Sequence, residues 1–146
     1  MIRKTALPAM LLASLDLALK LLPLGENRSL IPGFLGLHSM SNRGVAFGLL
    51  SESPFINALL ICLIILGSAV WLATNPPRAF RAAGAALLLG GAAGNLLDRL
   101  LHGAVSDYLV FEFIAFPVFN LADIFLTIGT ALLILDLMIP RKKAKF

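Results

Sequence analysis

Four of the five aspartates, Asp16, Asp98, Asp107 and Asp123, stand where their neighbours and spacing allow chemistry. Asp16 lies four residues before Lys20, so on a helix the two share a face. Asn95, Asp98 and Arg99 are spaced i, i+3 and i+4 and form one polar stripe. Asn120 and Asp123, at i and i+3, form a second, and Asp107 lies in the connection between them. Two carboxyl groups held together in a low-dielectric site do not both ionise readily; they share a proton and titrate as a unit. One then serves as general base towards water, while its protonated partner hydrogen-bonds a carbonyl under attack. That chemistry needs no cofactor, metal or covalent nucleophile. Spacing leaves open which two of the four aspartates pair. It also leaves open plainer uses: an Asp16–Lys20 ion pair, Lys20 snorkelling towards headgroups, and stripes that only cap helices.

The elements that must position these groups are apolar segments. Apolar residues make up 59% of the 146 and mean hydropathy is +0.92, far above an ordinary globular chain. Runs at 5–24, 54–74, 82–97 and 117–139 are read as four membrane spans of one polytopic domain, residues 1–146. About twenty apolar residues cross the hydrocarbon core, and the Gly90-x-x-x-Gly94 spacing permits close helix contact. The fold class expected is an all-α membrane protein of four transmembrane helices, with a small extracytoplasmic surface element between helices 1 and 2.

Positive charge orients the spans. Arg3, Lys4, Arg78, Arg81, Arg141, Lys142, Lys143 and Lys145 fall on one side; Lys20, Arg28, Arg43 and Arg99 fall on the other. Both termini are therefore expected in the cytoplasm. The polar groups then gather at one depth near the outer leaflet, between outer segments 25–53 and 100–116. The inner half is bare apart from Asp136, expected to meet the basic flank. Polar groups inside a membrane are costly and usually functional.

Several classes are excluded. Cys62 is the lone cysteine and sits in an apolar run, so no internal disulfide forms. His38 and His102 are far apart, no metal-ligand spacing occurs, and no phosphate-binding glycine loop is present. Ser106 has no readable triad. A basic C-terminus after an apolar run reads as a membrane flank and not as a nucleic-acid site.

Taken in order, Asp16-x-x-x-Lys20, Asn42-Arg43-Gly44-Val45-Ala46-Phe47-Gly48, Gly94-Asn95-Leu96-Leu97-Asp98-Arg99, Gly103-x-Val105-x-Asp107 and Phe116-Pro117-x-Phe119-Asn120-Leu121-Ala122-Asp123 resemble the motifs of the lipoprotein signal peptidases, the signal peptidase II family of bacterial inner-membrane aspartic peptidases. The resemblance covers almost the whole chain. It implies cleavage of prolipoproteins on the amino side of a diacylglyceryl-modified cysteine, with membrane lipids around the enzyme and no nucleic acid or cofactor. It implies a catalytic dyad of Asp107 and Asp123, with Asn95, Asp98, Arg99, Asn120 and Ala122 lining it and Asp16, Lys20, Asn42 and Gly44 around it. Block by globomycin-type cyclic peptides follows from the same resemblance. Phe111, Phe113, Phe116 and Phe119 are expected to pack on lipid at the interface. Leu17, Val45, Ser106 and Tyr108 depart from the residues common in the family, and none of these changes removes an ionisable group. The competing reading is a small proton- or ion-coupled transporter, which the one-sided clustering of the acids disfavours; a non-catalytic partner protein is a third.

Overall fold

The computed structural model describes residues 2–22, 27–43, 54–75 and 78–139. Four helices occur among them: α1 (Ile2–Lys20), α2 (Pro54–Thr74), α3 (Ala79–His102) and α4 (Leu121–Met138). Strands β1 (Arg28–Ile31) and β2 (Leu35–Asn42) follow α1, and β3 (Val105–Phe111) joins α3 to α4. Of the described helices, α3 and α4 are long and apolar enough to cross a membrane. Helix α1 carries four charged residues within its nineteen.

Helix α3 is the hub, packed against α1, α2 and α4. Its small residues make that possible. A Cβ at Gly90 would come within 2.8 Å of Leu12 Cβ on α1, and one at Gly91 within 2.5 Å of the Ala122 carbonyl on α4. The α4 side reciprocates, since a Cβ on Gly129 would lie 2.6 Å from Leu88 N. With lipid tails as apolar as leucine, close backbone approach and polar contacts hold such helices together.

Helix α3 is longer than the apolar run 82–97. The helix continues through Asn95, Asp98 and Arg99 because their side chains find partners inside the molecule, and it ends at Gly103, whose φ of 75° favours a residue without a Cβ. At the other boundary α4 starts at Leu121, four residues after Phe116-Pro117, with Asn120 as its cap.

The all-α expectation is corrected by a three-stranded antiparallel sheet in the order β1-β2-β3. The surface element is therefore not confined to the chain between α1 and α2: β3, from the α3–α4 connection, is its third strand. Strands β2 and β3 lie more than sixty residues apart in sequence, so no local pattern announces their pairing. Their register carries an irregularity between Leu37 and Met40, after which Met40 faces Asp107 and Asn42 faces Val105. Alternation along a strand places Asn42 and Met40 on one face, so Asn42 is the diagonal neighbour of Asp107. The aromatic residues expected to meet lipid pack on one another: Phe111 has Phe113, Phe116, Phe119 and Phe34 around it, with centroids 4.9 to 6.1 Å apart. Phe113 and Phe116 keep exposed surface.

Candidate active site

Where β3 meets the C-terminal end of α3 and the N-terminal end of α4, the polar side chains converge. Asp107, on β3, is 2% exposed. Its Oδ1 accepts from Asn120 Nδ2 at 2.6 Å and its Oδ2 from Asn42 Nδ2 at 2.8 Å. Asp123, one turn into α4, accepts from Asn95 Nδ2 at 2.9 Å through Oδ1. Its Oδ2 accepts from Asn120 N at 3.1 Å, while Asn120 Oδ1 accepts from Asp123 N at 3.0 Å, completing a capping box. Asn120 thus touches both aspartates, and a third contact, Nδ2 to Asn95 Oδ1 at 3.2 Å, ties it to α3. Each of these four donors to the two carboxyls is a neutral amide.

One cationic group, Lys20, is set one step back. Lys20 Nζ donates to Asn95 Oδ1 at 2.8 Å, pairs with Asp16 at 2.8 Å and lies 3.6 Å from Asp98. Its ammonium is therefore buried in the site and does not snorkel. Asp16 is fully buried and its Oδ1 accepts from Ala122 N at 3.0 Å, joining α1 to α4. Gly94 makes room for it, since a Cβ there would stand 2.6 Å from Asp16 Oδ2. Asp98 accepts from Ser106 N at 2.7 Å and contacts His102 Nδ1 at 2.7 Å, which fixes the start of β3 against α3. Arg99 lies within electrostatic reach of Asp107, Asp123 and Asp98.

Burial pushes the Asp107 carboxyl up from 3.8 to about 6. The nearby charge of Asp123 acts in the same direction, and the amide donations from Asn42 and Asn120 oppose it. Such a carboxyl changes protonation state near neutrality, which suits acid–base chemistry.

The structure thus gathers Asp16, Lys20, Asn42, Asn95, Asp98, Asp107, Asn120, Ala122 and Asp123 in one network, with Arg99 beside it. Gly44 lies outside the described residues. Two participants escaped the sequence reading. His102 was legible as the i+4 neighbour of Asp98. The Tyr108 hydroxyl, which accepts from Leu121 N at 3.3 Å, had no local signal, because its partner is thirteen residues away across a turn of chain. Asp136 does meet a basic residue, Arg81 of the 78–81 flank, as a buried pair. Among the described residues no group of three or more His, Cys, Asp and Glu side chains is arranged to hold a metal ion.

A family model described as signal peptidase (SPase) II matches residues 8–139. A lipoprotein signal peptidase of Brevibacillus brevis is 38% identical over 130 residues, covering 87% of this chain and 86% of its own. One of Brucella ovis is 41% identical over 116 residues, 77% of this chain and 72% of its own. Among solved structures, one described as a bacterial membrane enzyme superposes with a TM-score of 0.88 at 29% identity, covering 99% of this chain and 96% of that one. A second with the same description gives 0.84 at 30% identity, with coverage of 97% and 96%.

Proposed function

The chain belongs to the signal peptidase II family of bacterial membrane proteases, and from that membership we propose that it is an aspartic endopeptidase removing signal peptides from prolipoproteins on the amino side of a diacylglyceryl-modified cysteine. Asp107 and Asp123 are the dyad. The observation that carries this reading is Asn120, whose side chain and backbone touch both carboxyl groups at 2.6 and 3.1 Å and so hold them as one unit.

The division of labour follows from the surroundings. Asp107, whose carboxyl burial pushes up to about 6, carries the shared proton and donates to the scissile carbonyl. Asp123 takes a proton from water, which attacks the carbonyl carbon. As the tetrahedral diol collapses and its C–N bond breaks, Asp123 passes that proton to the leaving amine and Asp107 recovers its own from the diol hydroxyl, so the pair returns to its singly protonated state. Asn42, Asn95 and Asn120 orient the carboxyls, and the Arg99 guanidinium lies within electrostatic reach of both. Lys20, Asp16 and Asp98 tie α1, α3 and α4 around them. No cofactor takes part.

The substrate's apolar signal helix and its lipid chains arrive from the bilayer. All four helices span it in this reading, as one polytopic domain in the bacterial inner membrane. Both termini lie in the cytoplasm, and the dyad and sheet lie at the outer leaflet. The polar network at one end of α3 and α4 supports that arrangement, as does the excess of Lys and Arg on the other side. Cyclic peptides of the globomycin type would compete for the dyad.

The test is cleavage of a diacylglyceryl-modified prolipoprotein by purified full-length protein in detergent, beside Asp107→Asn and Asp123→Asn. Each substitution is expected to lower the rate by at least about 10³-fold while the protein stays folded, within the range of a lost general acid or base. Cleavage by either variant near the wild-type rate would remove that residue from the dyad. A wild type that leaves the substrate intact, but moves protons or ions across liposomes, would replace the peptidase reading with transport.

A further inference from the structure

Helix α4 opens, like any helix, with four backbone N–H groups that lack intrahelical partners. Here a side chain accepts from each. Asn120 N donates to Asp123, Leu121 N to the Tyr108 hydroxyl, Ala122 N to Asp16, and Asp123 N to Asn120. Three of those acceptors belong to the network already described. Tyr108 takes no part in the proposed chemistry, yet it is 5% exposed and immediately follows Asp107.

Its backbone grips the same segment. Tyr108 N and Leu109 N both donate to the Phe119 carbonyl, at 2.9 and 2.7 Å, and Phe119 N returns a bond to Leu109 O at 2.9 Å. Successive side chains of a strand leave opposite faces, and Asp107 and Tyr108 are both buried. Strand β3 therefore holds the start of α4 through Asp107–Asn120, through the Phe119 backbone and through the Tyr108 hydroxyl. Burial pushes the Tyr108 phenol up to about 12, so the group stays neutral across the working range.

We propose that Tyr108 is a positioning residue for the dyad: by accepting from Leu121 N, its hydroxyl sets the first turn of α4 and so places the Asp123 carboxyl against Asp107. This rests on the peptidase reading above. Without the hydroxyl, one half-buried N–H at the helix start loses its partner and the turn carrying Asp123 loosens.

Tyr108→Phe removes a single oxygen and keeps the ring. In the prolipoprotein assay kcat should fall about fivefold to tenfold, the size of one lost hydrogen bond with an orphaned donor. KM should change by less than about twofold. The Leu121 amide should exchange with deuterium at least about tenfold faster than in wild type. Adding Leu121→Pro removes the donor itself. Proline suits the first helical position, and Asn120 before it already has φ −134° and ψ −180°, the extended geometry a following proline requires. The double variant should recover kcat to within about threefold of wild type, a rescue that a purely structural loss elsewhere would not show. Wild-type kcat in Tyr108→Phe, or a loss that Leu121→Pro leaves in place, overturns the inference while the dyad reading stands. A wild type that does not cut overturns both.

Discussion

At one end of α3 and α4, Arg81 Nε and Nη2 donate to Asp136 Oδ2 at 2.9 and 2.6 Å, with the Trp71 ring 4.8 Å from the guanidinium carbon. At the other end, Asp107 and Asp123 take their hydrogen bonds from asparagine side chains and a backbone N–H. Both sites bury carboxyl groups in an apolar protein, and both bridge the same two helices. They differ in the charge of the donor. A guanidinium does not deprotonate in proteins, so Asp136 has a permanent counter-charge and the pair acts as a clasp. An amide donor orients a carboxyl in either protonation state. If Asp107 and Asp123 are the proposed dyad, burial alone does not make a carboxyl reactive; its donors must also leave its proton exchangeable. Lys20 lies one step further out, its ammonium contacting Asp16, Asn95 and Asp98.

The largest effect expected at the clasp is on stability. Arg81→Ala leaves Asp136 buried without its cation, and a broken buried pair costs about 3–5 kcal/mol. Unfolding in mixed detergent should show that loss, with cleavage per folded molecule within about twofold of wild type. Replacing both partners, Arg81→Met with Asp136→Leu, should restore most of it. Cleavage that collapses in Arg81→Ala at undiminished stability would break the comparison, since the clasp would then be part of the chemistry.

The next effect concerns pH. Asp107 sits at about 6 in the folded protein and 3.8 as the reference. A raised carboxyl binds its proton more tightly when folded, so it favours the native state at low pH. That contribution fades as pH rises from 3.8 through about 6, by about 3 kcal/mol in all. Thermal unfolding of wild type and Asp107→Asn across that window should show the wild type losing ground relative to the variant as pH increases. Parallel curves would mean that Asp107 is no different from an exposed carboxyl.

The smallest change converts one kind of site into the other. Asn42→Lys puts a cation where the amide now donates to Asp107 Oδ2 at 2.8 Å. It favours the ionised carboxylate, so cleavage should fall about tenfold to a hundredfold while the melting temperature holds or rises. Unchanged cleavage would show that the neutrality of that donor is immaterial.

Much of the site was legible because its parts obey local rules. Asp16 and Lys20 at i, i+4 and Asn120 and Asp123 at i, i+3 behave as helical spacing requires, the second pair as a capping box. The apolar run at 54–74 coincides with α2. Helix α3 runs beyond the apolar run 82–97, because a polar stripe reads as the end of such a run, whereas Asp98 continues the helix once buried partners satisfy it. The sheet was missed for a different reason: its two longer strands come from opposite sides of α2 and α3 in the chain. Only their pairing brings Asn42 to Asp107.

The chain by itself determined which residues are available and at what helical phase, because hydrophobic periodicity, charge placement and i, i+4 neighbours are properties of adjacent sequence. It determined the family as well, through motifs in a set order. Tertiary structure decided which carboxyls share Asn120, which cation ties α1 to α3, and which hydroxyl closes the end of α4. Those choices depend on the approach of α1, β2, β3 and α4 to α3, set by glycines without side chains and by a strand register. The contacts that result span from 3 to 106 positions of sequence, and no local pattern encodes the longer ones.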